Sequence, residues 1–153
     1  MKEYEIAALK NDTVNALGFE NELQLCFPVM QELRTHLTFE NFLLLYTQAH
    51  EHEGYKIITA RKNKKIVGLM GYRILHDFVH GKHLYIDDLV STQTERSNGI
   101  GSALLDYAEK LAALNGCTGL RLCTGIDNEL GKKFYEKNNL RLRAVVYKKK
   151  LQP

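Results

Sequence analysis

Gln93-Thr94-Glu95-Arg96-Ser97-Asn98-Gly99-Ile100-Gly101-Ser102 runs directly into the longest regular apolar stripe of the chain. From Ile100 the apolar residues Ala103, Leu104, Tyr107, Ala108, Leu111, Ala112 and Leu114 follow at three- and four-residue steps, the repeat of an amphipathic helix. Asn115-Gly116 ends that stripe with two residues that tolerate the left-handed conformation. Upstream, residues 84–91 are rich in β-branched and apolar side chains and read as a strand. The stretch is therefore a strand-to-helix passage with glycines where the helix begins. A helix start presents unpaired N–H groups and the positive end of the macrodipole, and glycine lets an anion approach them without a Cβ in the way. A dinucleotide fingerprint would need a third glycine where Leu104 stands, and a P-loop would need Gly-Lys-Ser/Thr, so neither nucleotide motif fits.

Working outward, the same reading predicts a short strand at residues 4–9 and two helices at 23–33 and 39–49. Thr38 is placed to cap the second helix, and Pro28 is expected to kink or split the first. Residues 55–61 and 66–75 read as strands joined by the polar turn Lys62-Asn63-Lys64-Lys65, and the break at His80-Gly81-Lys82 returns the chain into 84–91, making a meander. Beyond the strong helix come a strand at 119–124, a helix at about 128–137 and a last strand at about 140–149. The expected order is β-α-α-β-β-β-α-β-α-β in one α/β domain.

The chain has 153 residues, 44% hydrophobic and 25% charged, which is enough for one sizeable core and far from the composition of a disordered chain. A net charge of +3, dispersed apart from small basic clusters, argues against a nucleic-acid footprint. No apolar run approaches membrane-spanning length, and no signal-peptide pattern opens the sequence. Cys26, Cys117 and Cys123 are odd in number and lack C-x-x-C spacing, which fits a reducing, cytoplasmic setting rather than a disulfide or thiolate-zinc framework.

Arg96-x-x-Gly99-x-Gly101 resembles the Gln/Arg-x-x-Gly-x-Gly/Ala signature of the GCN5-related N-acetyltransferases (GNAT). Asn128 followed by Phe134-Tyr135-Glu136-Lys137 resembles that family's later Asn and Phe-Tyr-Glu-Lys segment. The likeness is specific from about Tyr85 to Leu140 and topological elsewhere. It implies a mixed, mostly antiparallel central sheet with flanking helices, and acetyl-CoA as co-substrate with no metal required. The amides of Arg96, Ser97, Asn98, Gly99, Ile100, Gly101 and Ser102 would cradle the pyrophosphate. Main-chain groups of Leu89, Val90 and Ser91 would pair with the pantetheine arm, and Asn128 and Tyr135 would also meet the cofactor. Two departures stand out: Gln93 where many members carry Pro, and Asn138-Asn139-Leu140 in place of a Gly-Phe ending.

Acyl transfer to an amine needs a base, because an amine of pKa near ~10 must shed a proton, and an acid for the departing thiolate. The resemblance places Tyr135 as the acid near the sulfur. For the base, Asp87 is favoured, since it aligns with a carboxylate of polyamine-acetylating relatives; Asp88 and His83 stand in reserve. Strand alternation puts Asp87 and Asp88 on opposite faces, so one of them is expected to face the cleft. His76, His80 and His83 flank a predicted hairpin rather than sharing a helix face, and Cys123 reads as a buried, inert thiol. The expected activity is transfer of acetyl from acetyl-CoA to the amine of a small molecule or protein. A noncatalytic acyl-CoA-binding module is the rival reading. Acceptor choice is expected from residues 20–52 and the hairpin at 76–82, with Glu20, Glu22, Glu51, Glu53 and Asp77 as acids that would draw a cation. Edge-strand pairing offers a route to a homodimer.

Overall fold

The computed structural model describes residues 4–9 and 17–153. Its elements are β1 (Glu5–Ala8), α1 (Leu17–Leu33), α2 (Phe39–Glu53), β2 (Lys56–Lys62), β3 (Lys65–Asp77), β4 (Gly81–Ser91), a 3-10 turn (Gln93–Glu95), α3 (Ile100–Leu114), β5 (Leu120–Leu122) and α4 (Glu129–Lys137). The chain divides after Arg121 into two compact units.

The sheet has the strand order β1-β2-β3-β4-β5, with β1 to β4, all of the first unit, antiparallel in succession. Asn63 and Lys64 both take positive φ (50° and 66°), the tight-turn conformation that suits the twist of a two-residue hairpin, here joining β2 to β3. Alternation along the strands feeds two cores. Ile57, Leu69 and Val90 cluster with Leu23, Cys26, Val29 and Met30 of α1 and Phe42 and Tyr46 of α2. On the opposite face Gly68 meets α3: a Cβ there would lie 2.6 Å from Ile100 Cγ2 and 3.5 Å from Leu104 Cδ1. The missing side chain is what lets the helix sit so close to the sheet.

Thr38 caps α2 as expected, its hydroxyl accepting the Asn41 N–H at 3.2 Å. Pro28 does not split α1, which runs unbroken from Leu17 to Leu33. Pro28 and Gln24 both lie on the exposed side of α1, where water can meet a carbonyl that a proline deprives of its N–H partner.

In the second unit Asn128 caps α4, its Oδ1 accepting from the Gly131 N–H at 3.0 Å and its Nδ2 donating to Thr124 Oγ1 at 2.9 Å. Asn139 takes φ 66°, and the Leu140 N–H reaches the Tyr135 carbonyl at 3.0 Å. The Asn that replaces the family's Gly thus makes the same left-handed helix exit. The strand expected at 140–149 is not formed. Residues 141–153 are irregular and exposed, including Leu142, Val145, Val146 and Tyr147. Their alternating pattern suits a strand, but a strand needs a neighbour to satisfy its ladder, and among the described residues none pairs with this segment.

Candidate active site

The glycine passage is built as a helix-start cradle. Gly99 stands at the N-cap with φ 82°, a value that glycine adopts without steric cost. The first helical bond runs from the Ala103 N–H to the Gly99 carbonyl at 3.0 Å, so the N–H groups of Ile100, Gly101 and Ser102 precede it and project from the helix end. The preceding turn is braced from both sides. Asn98 Nδ2 donates to Glu95 Oε2 at 2.9 Å, Lys62 Nζ reaches Glu95 at 3.1 Å, and Tyr4 Oη donates to the Asn98 carbonyl at 3.1 Å. Glu32 accepts the Gln93 N–H at 2.8 Å and lies 3.9 Å from Arg96 Nη2. Ser97 adopts φ 69°, unusual for a residue with a Cβ and tolerated where the surrounding turn dictates it.

Leu89, Val90 and Ser91 end β4, paired on one side with Met70, Leu69 and Gly68 of β3. On the other side β5 attaches near the beginning of β4: Thr118 N–H donates to the Lys82 carbonyl at 2.9 Å and Leu84 N–H to the Gly119 carbonyl at 3.0 Å. Both chains advance together, and β5 stops at Leu122, level with the middle of β4. Among the described residues the outer edge of Leu89, Val90 and Ser91 has no strand partner. An unpaired edge beside a helix-start cradle fits an extended arm ending in a pyrophosphate, as in CoA.

Asp87 and Asp88 do not face opposite sides. Between β3 and β4 the register steps from Gly71↔Asp88 to Tyr72↔Ile86, which leaves Asp87 as the extra residue of a β-bulge. The bulge cancels strict alternation, and both carboxylates line one cleft of about 430 Å³. Each is gripped by an arginine. Arg73 donates from Nε and Nη2 to Asp87 at 2.8–3.2 Å and from Nη1 to Glu53 at 2.8 Å. Arg34 donates from Nε to Asp88 Oδ1 at 2.9 Å and from Nη2 to the Asp87 carbonyl at 3.0 Å. Tyr55 donates its phenol proton to Asp88 Oδ2 at 2.7 Å, a reach made possible by Gly71, whose Cβ would fall 1.8 Å from the Tyr55 oxygen. Burial pushes the Asp87 carboxyl above its ordinary range, and the Arg73 hydrogen bonds pull the other way. Burial, with Asp88 alongside, holds the Tyr55 phenol well above its usual value, so it stays a proton donor.

The rest of the cleft wall is His36 together with apolar and aromatic side chains, Phe42, Leu45, Tyr46 and Ala49 of α2 with Met30 and Leu37. Arg34 and this wall lie within residues 20–52, the stretch expected to choose the acceptor, whereas Tyr55 and Arg73 lie outside it. The available signal was Arg73, a charge in the middle of an otherwise apolar strand. Of the acids expected to draw a cation, Glu53 lies on the cleft, while Glu22 pairs with Arg61 and Asp77 sits at the hairpin turn. The side chain of Glu20 lies outside the described residues. The hairpin at 76–82 contributes nothing to the cleft lining, since β3 and β4 carry it past the sheet's end. His83 is buried at the start of β4, its Nε2 accepting from Arg121 Nε at 2.9 Å, and it too is absent from that lining. Asn128 and Tyr135 belong to the second unit, where they share one helix. Tyr135 is half-buried there, its ring 5.2 Å edge-on from Phe134. Cys123 is exposed rather than buried, because β5 ends one residue before it; the buried thiol is Cys26, pushed up to about 12 chiefly by desolvation.

The model of the Acetyltransferase (GNAT) family matches residues 17–139. The chain belongs to that GNAT family. It is 32% identical over 124 residues, 80% of this chain and 87% of the other, to the protein designated uncharacterized N-acetyltransferase YhdJ of Bacillus subtilis (strain 168). Among solved structures it is similar to a putative acetyl transferase from Pyrococcus furiosus, with a TM-score of 0.71, 25% identity and coverage of 97% of this chain and 100% of that one. The fold is also shared with the aminoglycoside N-acetyltransferase AAC(6')-Iy in complex with CoA, at a TM-score of 0.78, 14% identity and coverage of 97% and 95%. This GNAT protein is an acetyl-CoA-dependent acyltransferase, and the cradle and free strand edge described above are the features in this chain that suit CoA.

Proposed function

We propose that this GNAT protein transfers the acetyl group of acetyl-CoA directly to a primary amine bound in the Asp87/Asp88 cleft. The observation that carries the reading is the β4 bulge, which turns two adjacent carboxylates onto one wall of a cleft that also holds Glu53. With His36 neutral, three acids against Arg34 and Arg73 leave the lining net negative, which favours an ammonium group over an anion. The aromatic and apolar wall of α2 suits the carbon body of a small amine, and an amine-bearing protein segment is the other acceptor class this cleft admits.

Asp87 takes the proton from the incoming ammonium, through one bridging water, so that the nitrogen lone pair is free to attack the thioester carbonyl. Its raised pKa narrows the gap to the amine and makes it a better base than an exposed aspartate. Arg73 fixes the carboxylate in the cleft, and Tyr55 and Arg34 fix Asp88 beside it. The amides of Arg96, Ser97, Asn98, Gly99, Ile100, Gly101 and Ser102 hold the pyrophosphate. Leu89, Val90 and Ser91 pair with the pantetheine arm, and Asn128 contacts it. Tyr135 gives its phenol proton to the departing thiolate.

Thiol release with a panel of amines, for wild type and Tyr135→Phe, tests the assignment of the acid. The expected result is a fall in kcat of about 10²-fold with CoA affinity kept, the usual weight of a general acid. Undiminished turnover in the variant would remove Tyr135 from the chemistry.

A further inference from the structure

The turn between β3 and β4, which adds no residue to the lining of the carboxylate cleft, gathers a second set of donors. Asp77 ends β3 and folds its carboxylate back over the turn, Oδ1 accepting the N–H groups of Val79 at 2.9 Å and His80 at 2.6 Å. The His80 ring follows, with Nδ1 2.9 Å from Asp77 Oδ2. His83 enters from β4 and is 2% exposed, with Nε2 3.7 Å from the same oxygen. One nitrogen from each ring and one oxygen of Asp77 all lie within 4.8 Å of one another.

Two details make this more than a group of polar side chains at a turn. His83 Nδ1 lies 2.9 Å from the Gly81 carbonyl, which can only accept, so the proton is on Nδ1 and Nε2 keeps its lone pair as an acceptor, 3.7 Å from Asp77 Oδ2. A backbone carbonyl that fixes the tautomer in this way is the usual outer support of a metal-ligating histidine. The spacings also match. Ligands about 2.0–2.1 Å from a tetrahedral ion stand roughly 3.3 Å apart; the two spacings to Asp77 Oδ2, 2.9 and 3.7 Å, bracket that value, and the two ring nitrogens, within 4.8 Å of each other, need a small ring movement to meet it.

The cluster already attracts a cation. Arg121 donates from Nε to His83 Nε2 at 2.9 Å, and its Nη2 lies 3.7 Å from Asp77 Oδ2, so a guanidinium covers the lone pairs an ion would take. That side chain is 37% exposed and its guanidinium carbon lies 4.7 Å from the centre of the Tyr85 ring, a surface on which it can remain when it swings clear.

We propose that Asp77, His80 and His83 form a binding site for a divalent transition ion of the zinc class, with Arg121 as the cation that covers the site when no such ion is bound. Two imidazoles and one carboxylate suit zinc, cobalt or nickel rather than calcium or magnesium, which prefer all-oxygen sets. As the ion binds through His80 Nδ1, the ring proton sits on Nε2 instead, so the imidazole ligates as the neutral tautomer, and water completes the coordination.

Calorimetric titration of the CoA-free protein with zinc, paired with cobalt titration followed by visible absorption, tests the site. The expected result is one equivalent bound with a tetrahedral cobalt spectrum. Affinity should fall at least about tenfold in Asp77→Asn and His80→Ala, both exposed enough to leave the fold intact, and rise in Arg121→Met, which removes the competing cation. Absence of saturable binding in both wild type and Arg121→Met would overturn the proposal. So would binding that survives Asp77→Asn and His80→Ala unchanged, which would place the ion on other histidines or cysteines.

Discussion

Asp87 is set by opposing neighbours, and their signs give a test. Burial raises its pKa, Asp88 and Glu53 push in the same direction, and the Arg73 hydrogen bonds lower it. If Asp87 is the base, activity requires its ionised form, so kcat/KM should fall as acid protonates it, with an acid limb above the ordinary aspartate value of about 4. Removing the lowering partner in Arg73→Gln should move that limb to higher pH, because the carboxylate then holds its proton more tightly. A pH profile of kcat/KM for the two proteins checks this, and a limb that stays still or moves downward contradicts the coupling. Arg73 also shows what a residue-level reading overlooks. It was visible as a charge in an apolar strand, but its partners, Asp87 on β4 and Glu53 on α2, are brought to it only by the fold.

At the scale of elements, the cleft depends on one inserted residue and one missing side chain. The bulge at Asp87 turns both acids to one side, and Gly71 leaves room for the Tyr55 ring to cross the sheet toward Asp88. Gly71→Ala should therefore displace Tyr55, break its bond to Asp88 and lower stability by about 1–3 kcal/mol, the usual effect of overpacking a filled core. Thermal unfolding checks this; an unchanged midpoint would mean that the ring has room to move. Periodicity made α3 legible in full, and Thr38, Gly99, Gly116 and Asn128 marked helix ends that the structure keeps. A bulge leaves no such mark, because an extra residue in an apolar strand looks like any other, and alternation then assigned Asp87 and Asp88 to opposite faces. The strand expected at 140–149 failed for a related reason: pattern records which residues suit a strand, but not whether a neighbour is there to pair with them.

For the molecule as a whole, family membership and the glycine helix start proposed for the pyrophosphate were legible because they reside in a short contiguous motif, Arg96 to Ser102, whose physics is local. The cleft proposed for the acceptor was legible only as the stretch 20–52, because Tyr55, Arg73, Asp87 and Asp88 are brought to α1 and α2 only by the fold. The central claim joins the two: a CoA-binding protein whose bulged carboxylates receive an amine. The most direct measurement is release of the CoA thiol as a function of amine concentration for wild type and Asp87→Asn, with CoA affinity measured by calorimetry on the same samples. The predicted result is saturable, amine-dependent release by wild type, reduced about 10²-fold in Asp87→Asn while CoA binding is unchanged. Release that does not depend on any amine, or that persists undiminished in Asp87→Asn, would contradict the account.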